Sequence, residues 1–240
     1  MELPLKYSDK NGTVKTIIKS DGKRLSTYIR GVLFEGDDFD SLHPKDNTDC
    51  RMLELFTLNN EMLCNCILEC NINIPIQVEK NIVDGDLYFI LELGYPKENR
   101  ALSMEILKIT LTYNNESINS SGVSGWFEGE LLDIQKKLPE VTYIKSCINC
   151  AYSDYSPYGH GLFGWMICFR NLKEEYLQVR SKDDFWNIHD NYDRIIQETY
   201  LCADFERRKP GTGYRGLLKD NYRIIEGLLK DVLSVGLFGH

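Results

Sequence analysis

The sequence predicts an α+β protein: an antiparallel, β-rich N-terminal part built as a sandwich or half-barrel, followed by a C-terminal cysteine-knuckle lobe of short strands and helices. Three observations predict it. Apolar residues fall on every even position from Met62 to Ile76, Gly- and Asn-containing turns separate further β-prone runs, and the apolar period changes to a helical one at Phe127. The expected division is a β-rich part over residues 1–125 and a cysteine-rich lobe over 126–240.

Taken in order, "TIIKSDGKRLSTYIRGVLFEG" places Asp21-Gly22 between two β-prone runs, the strongest short hairpin signal. "FEGDDFDSLHPKDNTD", Phe34 to Asp49, reads as a solvated acidic loop. It has the charge of a calcium loop without the central glycine and terminal glutamate of an EF-hand. In the Met62–Ile76 strand, Cys64, Cys66 and Cys70 share the apolar face with Leu68, Ile72, Ile74 and Ile76, while Glu69, Asn71 and Asn73 face the other way. Those three thiols are therefore packing residues, since free cysteine behaves as a small hydrophobe. "GDLYFILELG" and "ALSMEILKITLTY" give two more strands, and "NNESINSSGVSG" a polar loop. Phe127, Leu131, Ile134 and Leu138 then form one helical stripe, with acids early, Lys136 and Lys137 late, and Pro139 as the stop. A second helix is expected from Leu217 to Val235, ahead of Gly236.

A net charge of −8 disfavours polyanionic partners, so no nucleic acid and no anionic membrane are expected. No secretory signal and no membrane-span-length apolar run is evident, which points to the cytoplasm and to reduced thiols. Eight cysteines then mean metal binding, packing, or both.

Cys147-Ile148-Asn149-Cys150 can bend so that both thiolates meet one tetrahedral ion. With Cys168 and Cys202 the pattern is CxxC-x17-C-x33-C, a set of four thiols fit for structural zinc. His160, between Gly159 and Gly161 in "SPYGHGLFG", is the alternative ligand, and with an open water position it would make the site catalytic. Two other readings stand beside this one. Cys168, between Ile167 and Phe169, fits a packed strand, and a CxxC can serve redox or nucleophilic chemistry with His160 and Asp154. Further on, "FERRKPGTGYRG" offers Arg207, Arg208 and Arg215 among glycines, an arrangement able to bind a phosphate or carboxylate, although the same charges can pair with the protein's own acids.

In "CINCAYSDYSPYGHGLFGWMICFR" and "QETYLCADFERRKPGTGYRG" the chain resembles a family of uncharacterised bacterial proteins, a group named for a domain of unknown function. The resemblance covers the C-terminal stretch from these blocks onward and brings no activity with it. It implies a joint role for the two blocks, and so for Cys147, Cys150, Cys168 and Cys202 as one set. The expected function is that of a cytoplasmic bacterial binding or interaction protein with a protein partner, stabilised by structural zinc. The alternative is a metal-assisted hydrolase or a transferase acting on an anionic, phosphorylated substrate.

Overall fold

The computed structural model describes residues 1–99, 101–156, 161–209 and 213–214. His160, Arg215 and the expected Leu217–Val235 helix lie outside the described residues. One large antiparallel sheet dominates. Its strands are β1 (Glu2–Asp9), β2 (Gly12–Ser20), β3 (Leu25–Ile29), β4 (Val32–Gly36) and β5 (His43–Pro44), then β8 (Cys66–Val78), β9 (Asn81–Leu93), β10 (Glu105–Tyr113), β11 (Glu116–Asn119) and β12 (Thr142–Ile144). They run in the order β11-β10-β9-β8-β1-β2-β3-β4-β5, with β12 pairing the far end of β8. A short helix α1 (Cys50–Leu53) and a two-residue ladder, β6 (Leu58–Asn59) with β7 (Met62–Leu63), fill the long β5–β8 connection.

The hairpin expected at Asp21-Gly22 joins β2 to β3. Asp21 Oδ1 accepts the amides of Lys23 (2.8 Å) and Arg24 (2.7 Å), and Gly22 takes φ +99°, a left-handed conformation open to glycine at no steric cost. The alternation read between Met62 and Ile76 is present, but as two strands. The chain breaks at Cys64-Asn65, where Asn65 adopts φ +49° and donates its amide to Gly94 O (3.0 Å). Cys66 and Cys70 lie on the buried face as expected, and burial pushes both thiols up to about 12. The acidic loop departs from expectation as well: Asp38, Phe39 and Leu42 are buried, because the loop folds back over the core.

Helix α2 (Phe127–Lys137) begins and ends where the stripe predicts and lays Phe127, Leu131 and Ile134 against the sheet. Phe39, Phe89, Phe127 and Phe163 interlock with ring centroids 4.8–5.3 Å apart, tilted or edge-on as aromatic quadrupoles prefer. Residues on both sides of the expected boundary near 125 thus share one continuous apolar cluster, which also takes in Ile144, Cys147, Met166, Cys168 and Ile196. Buried Gln135 reinforces the join. Its Nε2 donates to Thr142 O (2.9 Å), and its Oε1 accepts Ile144 N–H and Asn149 Nδ2–H (3.2 Å each), tying α2 to β12 and to the turn that carries the first cysteines.

Candidate metal centre

A second, three-stranded antiparallel sheet carries the cysteine region: β13 (Ser153–Tyr155), β14 (Met166–Cys168) and β15 (Arg194–Ile196). Helices α3 (Lys173–Gln178) and α4 (Lys182–Ile188) connect β14 to β15. Cys147, Ile148 and Asn149 make a 3-10 turn closed by Cys150 N–H on Cys147 O (3.0 Å). Ser153 Oγ donates to the same Cys147 carbonyl. Cys168 stands opposite Ser153 on one side and Arg194 on the other.

Among the described residues after β15 no helix or strand forms beyond an isolated bridge between Arg207 and Cys150, yet residues 198–208 are sewn along the turn. Ile148 N–H donates to Glu198 O (2.9 Å), Cys147 N–H to Tyr200 O (2.7 Å), Ala151 N–H to Glu206 O (2.7 Å), and Arg208 N–H to Asn149 O (3.0 Å). Those bonds carry Cys202 to the turn, so all four predicted cysteines meet in one region. Burial raises the Cys147 thiol far above its ordinary value, and Cys150, Cys168 and Cys202 raise it further while Arg194 opposes them. Burial also raises Cys150 and Cys168, each with Cys202 as an added cause. The four thiols share one electrostatic neighbourhood, but among the described residues no three Cys, His, Asp or Glu side chains form a closed coordination shell. A divalent ion would have to draw the sulfurs inward and displace their protons.

Four buried side-chain polar atoms have no hydrogen-bond partner among the described residues, and three belong to this region: Ser146 Oγ, Thr199 Oγ1 and Arg194 Nε. Ser146 precedes Cys147, Thr199 precedes Tyr200, whose carbonyl holds Cys147, and Arg194 faces Cys168. All three can donate. Arg194 Nε does stand 3.6 Å from Asp193 Oδ2, at ion-pair distance. The two hydroxyls left unpaired suit a centre that becomes anionic, since a tetrathiolate around a divalent ion carries net negative charge and takes hydrogen bonds from its surroundings.

The arginines expected to clamp an anion go separate ways. Arg208 is 3% exposed, and its guanidinium faces inward: Nε donates to Cys150 O (3.2 Å), Nη1 to Tyr176 Oη (2.9 Å) and Nη2 to Ser153 O. Tyr176 in turn donates to Asp154 Oδ2 (2.6 Å) and stacks on Phe169 at 4.9 Å. Arg207 lies outward, its guanidinium 4.1 Å from the Tyr143 ring centroid. Gly213 packs onto the inward arginine. A Cβ at Gly213 would stand 2.9 Å from Arg208 Nη1 and 3.0 Å from Tyr176 Oη, at φ +69°. Gly213→Ala is expected to cost about 1–2 kcal/mol for the left-handed backbone alone, measured by denaturant unfolding. Sequence reasoning missed Asp154 and Tyr176 as partners of Arg208, because strand and helix bring them together from distant positions. Two tyrosines of the same block, Tyr152 and Tyr155, are buried, with Lys173 Nζ 4.7 Å from the Tyr152 centroid.

One comparison with known proteins places the chain. The profile of a "Family of unknown function (DUF6304)" matches residues 2–153, more than half of the sequence. The chain belongs to DUF6304. The match reaches only the first seven residues, 147–153, of the blocks that carried the sequence resemblance, so the family segment holds the large sheet, α2, Cys147 and Cys150 and stops before Cys168 and Cys202. No curated protein and no solved structure matches.

Proposed function

We propose that this DUF6304 chain is a cytoplasmic bacterial binding protein whose C-terminal part is fastened by one structural zinc ion on Cys147, Cys150, Cys168 and Cys202. The observation carrying the metal reading is the coincidence of Cys150, Cys168 and Cys202 around the Cys147 thiol with two unpaired buried hydroxyls at Ser146 and Thr199. Zinc supplies fixed tetrahedral geometry and a charge centre for a region with little regular structure. The partner reading rests on apolar surface: Val123 (77% exposed), Trp126 (48%) and Trp165 (37%) sit on segments joined by the Phe127 N–H to Leu162 O bond (3.3 Å). In the sheet, Phe39 after β4 touches Phe89 on β9, several strands away, which favours the half-barrel over a flat sheet. No helix among the described residues is long and apolar enough to cross a membrane.

Elemental analysis of protein purified without chelator tests the metal reading. About one zinc per chain is expected for one four-ligand site. Protein that is folded, reduced and free of stoichiometric metal would sink it.

A further inference from the structure

The fourth unpaired atom lies away from the cysteines, at Asp38 in the acidic loop after β4. Asp38 is 4% exposed. Its Oδ1 accepts two amides, Phe39 N–H and Phe163 N–H (2.9 Å each), and its Oδ2 is buried without a partner. Glu198, 1% exposed, accepts Gly164 N–H on Oε2 and Tyr155 O–H on Oε1 (2.8 Å each). Two successive backbone amides, 163 and 164, are therefore held by two buried carboxyl groups from distant parts of the chain. The loop lies directly on Asp38, since a Cβ at Gly161 would collide with Asp38 Oδ2 and with Trp165 Nε1, and Gly164 turns at φ +91°. Among the described residues, the charged groups facing Asp38 are acids: Asp40 on its own loop and Glu198 beyond β15. Asp40 in turn faces Glu105 on β10.

We propose that Asp38 and Glu198 form a proton-held clasp on the Gly161–Trp165 loop, closed while Asp38 keeps a proton and loosened when that proton leaves. An ionised Asp38 would place an uncompensated charge between two other carboxylates in a water-poor site, whereas a protonated one keeps Oδ1 as acceptor for Phe163. The direction of titration agrees: burial first, then Asp40, push Asp38 up to about 8 despite its two amide donors, and Glu198 adds to this. In the opened loop the carboxyl regains an ordinary value near 4, so opening releases a proton across the interval between the two values. Rising pH therefore favours opening from about 4 to 8 and has no further effect above. The clasp governs how the partly exposed Trp165 is presented. It stands independently of the metal.

Hydrogen exchange at the Phe163 and Gly164 amides, corrected for intrinsic exchange, reads the clasp. Between pH 5.5 and 8 the protection of both is expected to fall roughly tenfold per pH unit and then level off. Asp38→Asn, which keeps the acceptor and cannot ionise, is expected to flatten that slope, while His160→Ala leaves it in place. A flat profile in the wild type, the same slope in Asp38→Asn, or its loss in His160→Ala would each overturn the proposal. Should Asp38→Asn not fold, the carboxyl carbon resonance of wild-type Asp38 decides: a midpoint near 8 supports the clasp and one below 5 refutes it.

Discussion

On the zinc reading proposed above, Cys150→Ser is expected to lose the metal and to unfasten the 197–209 segment, whereas Cys66→Ser is expected to keep it. Both thiols are buried, but they differ in company. Cys66 lies on an aliphatic strand face and Cys150 among three other cysteines, two of them on separate chain segments. A metal present at 1,000 times its dissociation constant stabilises the folded state by about 4 kcal/mol, all of it lost with the site. Burying a hydroxyl at position 66 costs about 1–3 kcal/mol and touches no ligand. The two variants separate in kind: metal content and stability fall together for Cys150→Ser, and stability alone for Cys66→Ser. The loss should also be local. The amides of Cys147, Ile148 and Ala151, which reach across to residues 198–206, are expected to lose exchange protection, while β8 to β10 keep theirs. Equal metal in both variants would remove Cys150 from the ligand set.

Much of the large sheet could be read in advance because its signals are local. The even-position run around Cys66 to Ile76 needs only the pleat of a strand, and Asp21-Gly22 needs only its own turn. What escaped depends on distant partners. The break at Asn65 is fixed by Gly94 O, and the burial of Asp38 by Phe163 N–H, neither visible within a local window. The acidic loop reads as solvated because charge usually seeks water, and here two backbone amides take water's place at Oδ1. The cysteine set was legible as spacing. Its surroundings were not, since Ser146 and Thr199 carry no signal as unpaired donors until the fold buries them. Arg207 and Arg208 show the same limit: neighbours in a basic run, one over the half-buried Tyr143 ring and the other inside.

That inward arginine supplies the last expected result. Arg208→Ala should destabilise the protein by about 3–5 kcal/mol, the range for removing one partner of a buried charged network. The guanidinium joins three elements: the turn through Cys150 O, β13 through Ser153 O, and α3 through Tyr176 Oη. Tyr176 passes the connection to Asp154, which is 2% exposed. Without the cation, two carbonyls lose a donor and the Tyr176 hydroxyl that donates to Asp154 loses its own donor. Tyr176→Phe removes only the hydroxyl and is expected to cost about 1–3 kcal/mol. Because the two residues act in one chain of hydrogen bonds, the double variant should fall short of the sum by at least about 0.5 kcal/mol. The metal should respond too. Arg208 steadies the carbonyl of Cys150 itself, so zinc is expected to pass to a chelator faster from Arg208→Ala than from wild type, whereas Arg207→Ala, which frees only the Tyr143 ring, leaves that rate unchanged. Additive single costs, or an Arg208→Ala variant as stable as wild type, would show that the buried guanidinium merely fills space.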